Sequence, residues 1–151
     1  MPYLRDSGIT SFLVDLEVMG KDHRQLGFDT DISPGDFDAL RAMAAIPAIK
    51  RWCRINSFGP WSRQEIETSI ACGADILILP MVRDAPTIEA FLRMIDSRCR
   101  SCVMLETREA VSLAKELDGL AVDYAYFGLN DYRIDMGNPS LFDPIRDGTI
   151  E

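Results

Sequence analysis

Five short apolar runs, spaced along the chain with helix-patterned segments between them, constrain the fold more than any other feature. They are Phe12 to Leu16, Trp52 to Ile55, Ile76 to Leu79, Cys102 to Leu105 and Tyr124 to Phe127. The runs are continuous rather than alternating, as expected for strands covered on both faces, and therefore for a parallel sheet. The intervening segments carry helix signals. Ser33-Pro34-Gly35-Asp36 reads as a cap and first turn leading into Phe37 to Ala45. Ser62 reads as the cap of a helix over Arg63 to Ala71, closed by Gly73. Ala85-Pro86-Thr87 opens a helix through about Ser97, with Ile88, Phe91, Leu92 and Ile95 on one face. Thr107 opens another, with Ala110, Val111, Ala114 and Leu117 inward. Five strands and at least four helices in alternation predict an α/β fold of parallel strand-helix repeats.

Composition narrows the function. A chain of 151 residues with 47% hydrophobic and 26% charged residues suits one soluble globular domain spanning 1–151. A net charge of −8 argues against nucleic acid and anionic membrane as partners. Apolar runs of about 6 or 7 residues are too short to cross a bilayer. No basic stretch leads into an apolar run at the N-terminus, so a cytoplasmic protein is expected. Cys53, Cys72, Cys99 and Cys102 contain a single Cys-x-x-Cys, weak as a zinc signature, and read as reduced structural thiols.

Parallel α/β folds gather ligands at the carboxyl ends of their strands. Reading off those ends gives Asp15 and Glu17, then Arg54, then Leu79-Pro80-Met81, then Glu106, and last Asn130-Asp131. Leu105-Glu106-Thr107-Arg108-Glu109-Ala110 and Phe127-Gly128-Leu129-Asn130-Asp131 each place a carboxylate at or just beyond a strand end. Two hard carboxylates on neighbouring strands are what an oxygen-liganded divalent cation needs. Each residue also has a plainer reading: Glu106 as a helix N-terminal charge, Asp131 as a turn residue after Gly128. Arg54 lies inside an apolar run, where an unpaired charge is costly, so it requires an acidic or ligand partner. Asp15 and Glu17 share a strand face by their spacing and can meet Arg54 or the surroundings of the cation. The polar loop from Val18 to Ile32, with His23, follows a strand end, where functional loops gather.

These motifs, in this order, resemble the HpcH/HpaI aldolase and citrate lyase β-subunit family. The resemblance rests on Arg54-Ile55-Asn56, Ile78-Leu79-Pro80-Met81-Val82, the Glu106 and Asp131 segments, Met136-Gly137 and Asp15-Leu16-Glu17, and it runs through almost all the chain. It implies a (β/α)8 TIM barrel of which about strands two to six are present, so that the domain is truncated. It implies Mg2+ or Mn2+ held by Glu106 and Asp131, and Arg54 on the substrate's carbonyl or enolate oxygen. Leu129, Asn130 and Asp131 would meet the substrate carboxylate, and Asp15 and Glu17 would serve the catalytic groups around them. The implied activity is a metal-dependent carbon–carbon lyase or aldolase acting on a 2-oxo acid or acyl-thioester through a stabilised enolate, in a homo-oligomer. One departure concerns the acid/base. Pyruvate aldolases of the family carry a histidine after the strand-two acid, where this chain has Val18, and its only histidine is His23. The Asp-Leu-Glu form is nearer to the citrate lyase β-like branch. The missing strands leave an alternative, an incomplete barrel that acts as a binding or assembly module. A flavodoxin-like open sheet lacks support, because no phosphate-binding glycine loop follows the first strand.

Overall fold

In the computed structural model, residues 8–19, 36–137 and 140–150 are described. The predicted residues Ser33 to Gly35 and His23 lie outside them. Strands β1 (Ser11–Asp15), β2 (Lys50–Arg54), β3 (Ile76–Leu79), β4 (Arg100–Leu105) and β5 (Tyr124–Phe127) form one sheet in the order β1-β2-β3-β4-β5. Every neighbouring pair is parallel, with Asp15 opposite Arg54, Arg54 opposite Ile78, Ile78 opposite Cys102, and Cys102 opposite Tyr124. Strands β3 and β5 match their apolar runs. Strand β1 starts one residue before its apolar run, and β2 and β4 start two residues before theirs because polar residues there are satisfied within the sheet. Asp75 accepts from the Arg51 backbone and guanidinium at 2.7–2.8 Å, and Asp123 accepts from the Ser101 amide at 2.8 Å.

The connecting helices are α1 (Phe37–Ala44), α2 (Ser62–Ala71), α3 (Ala85–Ile95), α4 (Arg108–Ser112), α5 (Leu129–Met136) and α6 (Asp143–Arg146). Asp36, Asp84 and Thr107 cap α1, α3 and α4 by accepting from the amides of Ala39, Thr87 and Ala110. Ser62 is not a cap: it is the first residue of α2, and its Oγ accepts from the Gly59 amide at 2.8 Å. Helix α3 stops at Ile95 because Asp96 and Ser97 both take left-handed conformations, φ 50° and 57°. Helix α4 is shorter than predicted, and Ala114 beyond it is exposed rather than inward. No described helix is long and apolar enough to cross a membrane. All four cysteines are free thiols, and burial pushes those of Cys53 and Cys102 up to about 12.

The helices cover one face of the sheet. Val14, Cys53, Leu77, Leu79 and Val103 pack there against Leu40, Ile66, Ile88, Phe91 and Ala110. The opposite face carries Trp52, Ile76, Ile78, Cys102, Met104 and Tyr124. A cavity of about 450 Å³ on that face is lined from all five strands, by Leu13, Trp52, Arg54, Ile78, Met104 and Tyr126 among others. In a flat sheet the outer strands would lie roughly 19 Å apart, so a shared cavity means that the sheet curls into a trough. The sheet does not close: β1 and β5 are its edges, and Leu13 and Tyr126 there are 54% and 58% exposed. The architecture is a partial barrel.

Candidate active site at the carboxyl ends of the strands

Arg54 ends β2 on the trough face, and the parallel register sets Asp15 beside it on β1. Arg54 Nε donates to Asp15 Oδ1 at 2.9 Å and Nη2 to Oδ2 at 2.5 Å, a two-point pairing that fixes the plane of the guanidinium. Nη1 lies 3.3 Å from Glu17 Oε2 and 3.7 Å from Met104 Sδ. Burial works against the Arg54 charge. The hydrogen bonds to Asp15 and the charges of Glu17, Asp15 and Glu106 outweigh that, so the guanidinium is held above its ordinary value. The charge inside an apolar run thus has its counter-charges at and just beyond the ends of the neighbouring strands.

Glu106 follows β4 and is 1% exposed. Its Oε1 accepts from the Met81 amide at 2.8 Å. That amide points at Glu106 from a left-handed residue, φ 54°, a conformation that side-chain-bearing residues rarely take outside sites that require it. Thr107 supports the same corner by donating from Oγ1 to the Val82 carbonyl at 2.6 Å. Oε2 of Glu106 is buried and has no hydrogen-bond partner. Gly128 packs against it so closely that a Cβ there would stand 2.5 Å from Oε2. Burial pushes the Glu106 carboxyl up to about 7. The charges of Asp131 and Glu17 push the same way, while the Met81 amide and Arg54 pull it down.

Asp131 lies in the first turn of α5, 8% exposed. It is a helix residue and not the turn residue of the plainer sequence reading. Leu129 and Asn130, half-buried, begin the same helix, and Asn130 Oδ1 accepts from Arg133 Nη2 at 3.4 Å. Asp15, Glu17, Arg54, Glu106 and Asp131 therefore meet at one end of the sheet, as electrostatic neighbours of Glu106 or of Arg54. Among the described residues, no group of three or more His, Cys, Asp or Glu side chains forms a complete metal cage. A hard cation that takes one or two carboxylates and fills its remaining positions with water and substrate needs no such cage. Glu106 fits that role: a desolvated carboxylate with an orphaned oxygen requires either a proton or a cation. Glu106 and Asp131 are the residues that would hold it.

Sequence reasoning missed two participants. Met81 acts through its backbone amide, which no side-chain pattern reveals. Gly128 is visible only as a glycine directly after a strand, a weak sign of close approach. It also missed the brace behind the site, where Arg83 bridges Glu109 at 2.6 Å and Asp135 at 2.8 Å, tying the segment after β3 to α4 and α5.

No family model matches the sequence, and no curated protein matches it. Solved structures do match in fold. An HpcH/HpaI aldolase/citrate lyase family protein from Burkholderia cenocepacia superposes with a TM-score of 0.74 at 15% identity, over 98% of this chain and 66% of its own length. The citrate synthase SbnG superposes with a TM-score of 0.64 at 16% identity, over 99% of this chain and 74% of its own. A mandelate oxidase with an FMN adduct follows at a TM-score of 0.52 and 17% identity, over 50% of its length. Proteins named for different chemistries thus share this fold, and function has to be argued from the site. The chain has the α/β fold of an HpcH/HpaI aldolase/citrate lyase family protein and spans about two thirds of that protein's length.

Proposed function

We propose that the chain acts as a divalent-metal-dependent carbon–carbon lyase, aldolase or citrate-lyase-like, on a 2-oxo acid or acyl-thioester through an enolate. The observation that carries this reading is the buried Glu106 carboxylate, whose Oε2 has no hydrogen-bond partner while Asp131, Glu17 and Arg54 lie within electrostatic reach. Glu106 and Asp131 hold Mg2+ or Mn2+ in this reading. When bound, the cation supplies Lewis-acid stabilisation of the negative charge that builds on a carbonyl oxygen. Arg54 presents a second fixed positive group to that oxygen, the kind of contact that typically contributes a few kcal/mol to lowering a barrier. Asp15 takes two of its N–H donors and so aims the rest. The first backbone N–H groups of α5, at Leu129, Asn130 and Asp131, donate to the substrate carboxylate, where the helix dipole favours negative charge. The apolar trough floor of Ile78 and Met104 keeps the reacting carbons away from bulk water.

The test is release of pyruvate, glyoxylate or acetyl-thioester from a panel of hydroxy-oxo acids and acyl-thioesters, with Mg2+ and with a chelator. Metal-dependent release that disappears in Arg54→Ala supports the reading, and no release from any substrate overturns it. A second reading, a barrel portion that binds or assembles with a partner, is favoured by the exposed Leu13 and Tyr126 on the two open edges. Self-association without turnover would favour that reading.

A further inference from the structure

The residue that ends the β2 motif, Asn56, is 7% exposed and has all of its side-chain hydrogen-bonding capacity engaged. Its Oδ1 accepts from two successive backbone amides, Val18 and Met19, each at 2.9 Å. Its Nδ2 donates to the Leu16 carbonyl at 3.3 Å and to Glu65 Oε1 at 2.6 Å. Backbone amides can only donate, and carbonyl and carboxylate oxygens can only accept, so these partners dictate which way the amide faces. Glu65, on α2, uses its other oxygen to accept from the Asn56 backbone amide at 3.1 Å. One carboxylate therefore grips Asn56 at two points, and Asn56 in turn grips the backbone on both sides of Glu17, at Leu16 and at Val18.

We infer that Asn56, locked by Glu65, is a positioning residue that sets the Glu17 carboxylate against Arg54 and fixes where the loop after β1 leaves the sheet. Glu17 is the fully buried member of the acid pair on Arg54, its side chain 0% exposed and 3.3 Å from Nη1. Its own segment is held at two further points. Leu16 N reaches the Arg54 carbonyl at 2.8 Å, and Glu17 N donates to Asp15 Oδ1 at 3.1 Å. Beyond Leu16 the chain leaves the ladder, and the Val18 and Met19 amides both donate to Asn56 Oδ1. A shift of that segment changes which Arg54 N–H groups face the trough. The catalytic consequence rests on the lyase reading above, whereas the clasp itself does not.

The test exchanges the two groups. Asn56→Asp keeps the acceptor for Val18 and Met19 but puts a carboxylate oxygen against Glu65. Asn56→Asp/Glu65→Gln restores the contact between the two side chains with donor and acceptor reversed. The Leu16 carbonyl, which takes the second Nδ2 hydrogen in the wild type, stays unpartnered, so the rescue is partial. Amide hydrogen exchange at Val18 and Met19 is expected to rise about tenfold in Asn56→Asp, the scale of a lost hydrogen bond to a buried group, and to return within about threefold in the double variant. With any substrate the wild-type protein turns over, kcat follows the same loss and rescue. Far-UV circular dichroism, which reports the folded fraction, stays unchanged. Glu65→Gln alone, which replaces one acceptor by a donor, gives an intermediate rise and covers the case in which Asn56→Asp does not fold. Exchange at both amides equal to wild type in Asn56→Asp or Glu65→Gln, or no recovery in the double variant, overturns the clasp. Rescue of exchange without rescue of kcat overturns the positioning role. A wild-type chain that turns over no substrate overturns the lyase reading, and exchange then decides the clasp alone.

Discussion

Glu106→Gln removes one proton-binding site from the protein while keeping its shape, and the structure gives the size of the effect. In the folded chain the Glu106 carboxyl is held at about 7 by burial first, then by the charges of Asp131 and Glu17, against an ordinary value of 4.5. Below pH 4.5 the group is protonated in both the folded and unfolded chains, and its ionisation costs nothing. As pH rises toward 7 the unfolded chain gives up the proton while the folded chain keeps it, so stability falls, and above 7 the loss is complete. At about 1.36 kcal/mol per pH unit, the folded carboxylate costs roughly 3 kcal/mol at pH 8. Gln keeps an oxygen for the Met81 amide, which now sits 2.8 Å from Oε1, and never ionises. The variant is therefore expected to equal the wild type near pH 4.5 and to exceed it by up to about 3 kcal/mol at pH 8 in the presence of chelator. Urea unfolding at a series of pH values reads this directly. A stability gap between the two proteins that stays constant from pH 4.5 to 8 would refute the reasoning.

Further outcomes follow from the same geometry. Arg54→Met leaves Asp15 and Glu17 facing each other without their counter-charge and is expected to cost about 3–5 kcal/mol in urea unfolding, with Arg54→Lys recovering only part of it, because an ammonium cannot take both Asp15 oxygens in the guanidinium's plane. A loss under about 1 kcal/mol for Arg54→Met would mean that water screens the cluster. Gly128→Ala drives a methyl to 2.5 Å from Glu106 Oε2. It should cost about 1–3 kcal/mol of stability and weaken Mg2+ binding measured by calorimetry, and unchanged affinity would detach Gly128 from the site. Mg2+ should raise the Tm more at pH 8 than at pH 5, since the cation replaces the proton on Glu106 only where the proton is weakly held. Equal shifts at both pH values would argue for binding elsewhere.

Parts of the fold were legible because burial on both faces leaves an apolar run, and β3 is such a run from end to end. Strand β5 is equally apolar but is an edge strand with Ala125 and Tyr126 exposed, so its run reflects strand propensity rather than double-sided burial. The starts of β2 and β4 were hidden by Lys50, Arg51, Arg100 and Ser101, which sit in the ladder with Asp75 and Asp123 as partners on adjacent segments. Helix α5 escaped notice because its residues, Leu-Asn-Asp-Tyr-Arg-Ile-Asp-Met, present no apolar stripe; only Asp131 and Tyr132 are buried. In the site, Arg54 was conspicuous as a charge among apolar neighbours, and its need for a partner was met by Asp15 and Glu17. Glu106 and Asp131 were visible as acids at strand ends. Their neighbouring strands brought them together as expected, but the close packing of Gly128 that admits the Glu106 carboxylate was not visible. Met81 and Asn56 contribute through backbone amides, their own or those they receive, and such roles leave no mark in residue type.

The central claim is that Glu106 and Asp131 together grip one divalent cation beside Arg54. Calorimetric titration of Mg2+ into the wild-type chain, Glu106→Ala and Asp131→Ala tests it most directly. The expected result is one ion per chain bound by the wild type and none detectable in either variant. Wild-type affinity retained in both variants would contradict it.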